Sequence, residues 1–148
     1  MLPDARELRQ TLGRFATGVT IVSTEHEDEL HAMTANSFTS VSLDPPLVLV
    51  SVDRRARMHE LLPRTRAFKV SVLARDQEDA AWHFAGRPCL EDDPFEDGLI
   101  RGAIARLECS LYASVDAGDH TLYLGLVEAL DRAPGEPLLF HDGAFSTR

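Results

Sequence analysis

Cysteine is scarce: 148 residues hold two, Cys89 and Cys109, with neither a disulfide framework nor metal-ligand spacing. Free thiols in a reducing compartment are the plain reading. Long apolar runs are missing too; none approaches the ~18 residues of a membrane span. The first nine residues are charged and lack the apolar centre of a secretory signal. The expectation is a cytoplasmic protein with no membrane attachment. Positive charge is short, with 15 Lys and Arg against 24 Asp and Glu, net −9. A basic face for nucleic acid or anionic lipid is therefore not expected. A local phosphate site remains open, because a few backbone N–H groups and one arginine suffice. There is no phosphate loop, no glycine-rich dinucleotide fingerprint, no Gly-x-Ser-x-Gly elbow and no internal repeat.

What is present fits one domain spanning residues 1–148, long enough to bury ~70% of its unfolded surface without disulfide or metal. Residues 4–16 suggest a helix, with Asp4 as cap, Leu8, Leu12 and Phe15 on one face, and Gly18 as the stop. Val19–Thr24 and Leu30–Ala35 suggest strands about a turn at His26–Glu29, and Leu47–Val52 a buried strand. Arg54–Leu62 suggests a short helix with Asp53 at its cap and Pro63 beyond its end. Ala67–Leu73 alternates as a strand, Asp76–Ala85 forms a helix capped by Asp76, and residues 86–102 form a surface loop. Two long strands, Ala103–Val115 and His120–Leu130, flank a hairpin turn at 116–119. One more short strand is expected in Pro137–Arg148. Strands and helices do not alternate as βαβ units, so the expected class is mainly β with peripheral helices and antiparallel pairing. Closure into a barrel would remove exposed sheet edges.

The runs His26–His31, Glu91–Asp93 and Glu96–Asp97 read as solvated turns and loops; the spacings of zinc or calcium sites are missing. Two other stretches carry more chemistry. Met33-Thr34-Ala35-Asn36-Ser37-Phe38-Thr39-Ser40 is polar and small-residue, suited to the edge of a flat heterocycle, or simply to a strand end with turn formers. Ser51-Val52-Asp53-Arg54-Arg55-Ala56-Arg57 puts three arginines at a helix start. Cations there oppose the macrodipole by ~0.3–1 kcal/mol each unless an anion is present. A phosphate would resolve the conflict; otherwise the arginines point into solvent or pair with the acidic surplus. His120 stands at a strand start, at a rim where a ligand could enter, or it is simply structural. Trp82 and Phe84 read as core residues, and His141 and Phe145 as packing or part of a lid.

Taken in order, these blocks resemble the flavin reductase-like family with the FMN-binding split-barrel fold. The blocks are Gly13-Arg14-Phe15-Ala16-Thr17-Gly18-Val19-Thr20, then Met33 through Val48, Val52 through Arg57, His83-Phe84-Ala85-Gly86-Arg87, Leu107-Glu108-Cys109 and Gly118-Asp119-His120. Residues 86–102 and Gly125-Leu126-Val127-Glu128 look most like the reductase component of 4-hydroxyphenylacetate 3-monooxygenases. The resemblance implies an antiparallel split β-barrel, a homodimer, and an NAD(P)H-dependent reductase supplying reduced FMN or FAD to a monooxygenase. A flavin-binding protein without reductase activity and a pyridoxine-phosphate-oxidase-like enzyme are the alternatives.

The resemblance also implies roles. Met33, Thr34, Ala35, Asn36 and Ser37 would line the isoalloxazine. Ser51, Val52, Asp53, Arg54 and Arg57 would follow the ribityl-phosphate, with Phe84 and Arg87 bordering the same pocket. His120 and His141 would stand toward the nicotinamide of NADH or NADPH, with no catalytic side chain and no metal. The sequence departs from the family at Ala32, where many members have Gly, at Ser71, often Asn, and at Phe145, often Tyr.

Overall fold

The computed structural model describes residues 1–146. Its elements are α1 (Ala5–Leu12), β1 (Thr17–Gly18), β2 (Thr20–His26), β3 (Glu29–Ala35), β4 (Thr39–Leu43), β5 (Pro46–Asp53), α2 (Arg57–Thr65), β6 (Ala67–Val72), α3 (Glu78–His83), β7 (Phe95–Glu96), β8 (Leu99–Ile100), β9 (Ala105–Ala117), β10 (His120–Arg132), β11 (Leu139–His141) and β12 (Ala144–Ser146). Seven strands form one sheet in the order β3-β2-β6-β9-β10-β5-β4, every pairing antiparallel. The mainly β, antiparallel class is therefore as expected. The ladder runs from β3 to β4 without closing, so those strands remain edges and the closure expected from the sequence is not formed among the described strands. The expected C-terminal strand is the β11–β12 hairpin, which β1 extends to three strands; positions 147 and 148 of that expectation lie outside the described residues.

Local chemistry sets the turns. Glu27 and Asp28 both take positive φ, 52° and 65°, the two-residue geometry that matches the right-handed twist of β2 and β3. Gly118 at φ 65° turns β9 into β10. Both faces of β2 are covered, which explains its continuous burial. Val22 joins one core cluster with Val50, Phe68 and Tyr123, while Ile21 joins a second with Leu73, Ile100 and Leu138. The buried hydroxyls on β2 are satisfied: Thr20 donates to the Ala35 carbonyl, Ser23 to Gly98, and Thr24 to Ala67.

Several boundaries differ from the sequence reading. α1 begins as expected, with the Asp4 carboxylate accepting from Glu7 N at 2.8 Å. It ends at Leu12 rather than 16, with Gly13, not Gly18, as its C-cap. There the chain is drawn to the β11–β12 turn, where Asp142 N donates to Gly13 O and Arg14 pairs with Asp142. α2 starts at Arg57 without a side-chain cap, because Asp53 accepts from Arg55 N instead. Pro63 lies inside α2. A proline removes the bond to the carbonyl four residues back; that carbonyl, His59 O, accepts from the Tyr123 hydroxyl at 3.3 Å.

α3 spans Glu78–His83, not 76–85. Gln77 rather than Asp76 is at its cap, and the Gln77 side chain accepts from Ala74 N. The expected surface loop at 86–102 contains the β7–β8 hairpin, whose Leu99 and Ile100 are buried. Ser71, one of the departures from the family pattern, accepts from Ile100 N and anchors that hairpin.

The two thiols should be told apart by titration. Cys89 is exposed and Cys109 buried. Burial, helped by nearby Glu128, pushes the Cys109 pKa up to about 12. Because only thiolate reacts, an aromatic disulfide reagent should label one thiol in native protein and the second only in denaturant.

Candidate functional site

A cleft of about 360 Å³ opens where β3 leaves the sheet and the chain turns into β4. It gathers nine of the expected site residues: Met33, Thr34, Ala35, Asn36, Ser37, Ser51, Asp53, Phe84 and His120. β3 supplies the first three and the Asn36–Phe38 turn follows. β5 brings Ser51 and Asp53, and β10, whose His120 pairs in register with Asp53, brings the imidazole. The sequence reading did not single out Ala56 and Ala85 as lining residues; both are small and leave room beside Phe84.

Hydrogen bonding divides these residues into two kinds. The Thr34 N–H donates to Phe84 O at 3.1 Å and its hydroxyl to Ala81 O at 2.6 Å. Thr34 thus ties β3 to α3, and only its oxygen lone pairs remain available. The Ser37 hydroxyl donates to Ser51 O and accepts from Ser51 N, clamping the turn onto β5. The side chains of Asn36 and Ser51 make no hydrogen bond to another described residue. Because Asn36–Phe38 lies between the strands, its N–H groups are not consumed by strand pairing.

The arginines do not form an open anion site. Arg55 bonds the Asp53 carboxylate at 3.0 Å, and these bonds hold the Asp53 pKa well below the usual carboxylate range. Arg57 pairs with Glu60 at 2.9 Å across two exposed side chains. It lines a hollow of about 380 Å³ that adjoins the cleft through Met33, Ala56 and Phe84. Arg54, Arg55 and Arg57 each meet an acid, Asp116, Asp53 and Glu60. Exposed ion pairs are worth only ~0–1 kcal/mol, so the Glu60 contact is a weak competitor for an incoming phosphate.

Four expected residues fall elsewhere. Val52 is fully buried in the core, because the strand alternation that turns Ser51 and Asp53 to the cleft turns Val52 inward. Arg54 reaches the β9–β10 turn, bonding Gly118 O at 3.0 Å and pairing with Asp116. Arg87 lies with its guanidinium 4.6 Å above the Trp82 ring. His141 sits on β11 beside Asp142 and does not line the cleft. Trp82, expected in the core, is instead half-buried. With Phe140 and Phe145 it walls a further hollow of about 320 Å³, which shares Thr34, Asn36 and Ala85 with the cleft. The result is one trough, polar at Ser51 and Asp53 and aromatic at Trp82. Helical spacing signalled only that Trp82 was apolar, and nothing signalled its meeting with Phe145 from the far end of the chain. Among the described residues no cluster of His, Cys, Asp or Glu could hold a metal ion.

Comparison with known proteins follows this geometry. Residues 12–147 match the flavin reductase like domain. The chain is 51% identical over 146 residues to an NADH-dependent flavin reductase of Rhodococcus sp, covering 93% of this chain and 83% of that protein. It is 43% identical over 133 residues to the reductase component of 4-hydroxyphenylacetate 3-monooxygenase from Thermus thermophilus, covering 89% of each. The solved structure of the flavin reductase PheA2 in its native state superposes with a TM-score of 0.92 at 39% identity, covering 99% of both chains.

Proposed function

The chain belongs to the flavin reductase like domain family, and from that premise we propose that it is an NADH-dependent flavin reductase supplying reduced FMN or FAD to a partner monooxygenase. The carrying observation is the trough itself, which joins an uncommitted polar edge at Asn36 and Ser51 to an aromatic wall at Trp82, Phe140 and Phe145. A flavin bound there supplies the hydride acceptor. The protein's part is positional. Asn36 offers donors and an acceptor to a ring edge, the Ser37–Ser51 clamp fixes the turn that presents it, and the aromatic wall sheds water from stacked rings. Holding two flat reactants face to face removes most of the entropy cost of a bimolecular encounter. No side-chain general acid is required for a hydride step.

The fit extends to the phosphate end. Asp53 would repel a phosphate, but Arg55 neutralises it, and Arg57 lies at the start of α2 on the adjoining hollow. Arg57→Ala should weaken FMN about threefold to tenfold, the range for one partly screened charge-assisted contact, and leave riboflavin unchanged. Flavin fluorescence titrations with both ligands check this; equal losses would remove Arg57 from the phosphate.

One assay tests the function. Purified protein with NADH and added FMN should oxidise NADH in strict dependence on the flavin. Flavin binding without NADH oxidation would leave a flavin-binding module. We further read the chain as a homodimer. Leu8, Leu12 and Phe15 on or after α1, and Val41 and Leu43 on β4, are exposed apolar groups that a second copy would cover. Sedimentation at micromolar concentration should show a dimer, and a monomer alone would reject it. No helix among the described residues is long and apolar enough to cross a membrane.

A further inference from the structure

His83 lies at the last turn of α3, outside the trough, and the function above gives it no role. Its Nδ1 is 3.0 Å from the backbone N of Cys89 and 3.0 Å from that of Leu90. A backbone N–H can only donate, so Nδ1 accepts from both and carries no proton; the imidazole is the neutral tautomer with its proton on Nε2. Around it the chain doubles back along α3. Arg87 N donates to Trp82 O, and the Cys89 thiol to Asp79 O at 3.3 Å. Gly86 makes the reversal at φ 99°, a conformation cheap only for glycine.

The fold-back matters because of what it carries. The His83 ring meets Phe84 edge-on at 4.7 Å between centroids, and Phe84 lines the cleft. Phe84 O in turn accepts from Thr34 N on β3. Arg87, held by the same reversal, covers Trp82 at the aromatic end. If His83 stopped accepting, the Cys89 and Leu90 N–H groups would lose this partner, and only the Arg87 N–Trp82 O bond and the Cys89 thiol contact would hold the segment bearing Arg87 to α3.

We propose that His83 is a positioning residue for the trough. Through two hydrogen bonds accepted at Nδ1, it locks segment 86–90 onto α3 and so fixes Phe84, and Trp82 beneath Arg87, where they wall the trough. The proposal rests on the flavin reductase reading only for its kinetic arm. Its geometric arm needs no flavin.

Three variants separate this role from simple packing. His83→Asn places a carbonyl oxygen near the Nδ1 position, His83→Gln places its amide near Nε2, and His83→Phe keeps ring bulk without an acceptor. Acceptance at Nδ1 predicts FMN affinity and NADH KM within about twofold of wild type for Asn. It predicts up to about tenfold losses for Gln and Phe, the scale of two backbone hydrogen bonds given up to water, with kcat at saturation little changed. Amide exchange over 86–90, measured without flavin, should be slow in wild type and Asn and fast in Gln and Phe. Rescue by Gln rather than Asn would assign the role to Nε2 and overturn the proposal, as would a Phe variant indistinguishable from wild type. Should the variants fold poorly, the ¹⁵N shifts of His83 in wild-type protein decide it: a protonated Nδ1 at neutral pH would overturn it. Loss of the kinetic pattern with the exchange pattern intact would fault the reductase reading and leave the lock standing.

Discussion

Phe68→Ala should destabilise the chain by about 3–5 kcal/mol, the range for emptying an aromatic site in a close-packed core. Phe68 is 1% exposed on β6 and belongs to the cluster that holds Val22, Val50 and Tyr123. Its ring takes space that a side chain on β10 would otherwise need. A Cβ added to Gly125 would stand 2.5 Å from Phe68 Cζ and 2.8 Å from Cys109 Cβ, so glycine there is the condition for the ring to pack. Gly125→Ala alone should cost about 1–3 kcal/mol by overpacking. In the Phe68→Ala background the new methyl meets a cavity, and its cost should fall by about 1 kcal/mol or more. Urea unfolding of the four proteins gives the coupling. An additive cycle would show that Gly125 answers to Cys109 rather than to the ring.

This pair also marks the limit of what the sequence carried. Phe68 was legible as an inward position of an alternating strand, because period-two patterning depends only on neighbours. Gly125 entered only as part of the Gly125-Leu126-Val127-Glu128 resemblance. That it faces Phe68 depends on the pairing of β6 with β9 and β9 with β10, a register with a shift at Leu124/Gly125 that no local pattern announces. β4 was missed for a related reason. Thr39–Leu43 does alternate, Ser40 and Ser42 with Val41 and Leu43, but over only five residues, and its apolar positions are exposed, because an edge strand needs hydrogen bonds from β5 more than burial. α1 was overextended because Leu8, Leu12 and Phe15 share a face, yet nothing in the described chain covers that face. Amphipathic spacing reports a surface fit to be buried, not whether this chain buries it.

The candidate site was legible in its strand-end residues and illegible in its arginines. Residues 33–37, 51 and 53 came together because they sit where strands stop. Val52 did not, being one step out of phase with its neighbours. Arg54, Arg55 and Arg57 looked alike as three cations at a helix start, yet each meets a different acid: Asp116, Asp53 and Glu60. The choice was made by the β9–β10 turn and by the one-turn spacing within α2, neither of which follows from the run of charges.

His120→Asn should raise the apparent KM for NADH by about tenfold or more while leaving FMN affinity nearly unchanged, and it tests the least conspicuous member of the cleft. His120 Nδ1 lies 2.7 Å from the Asp119 carboxylate. An ionised carboxylate only accepts, so that contact places the proton on Nδ1. It leaves Nε2 of a neutral ring as an acceptor on a residue that lines the cleft. We propose that Nε2 accepts from the carboxamide of the nicotinamide. Asn in its place can still donate to Asp119 but cannot reach where Nε2 stood, so the variant removes one interaction and spares the other. An interaction made equally in the ground and transition states appears in KM with kcat held; one that tightens in the transition state lowers kcat as well. Steady-state NADH kinetics at saturating FMN, with a parallel flavin titration, distinguish these outcomes. An unchanged KM would leave His120 as a partner of Asp119 alone. A large loss of flavin binding would move it from the nicotinamide side of the trough to the flavin side, where its pairing in register with Asp53 would then be the contact that matters.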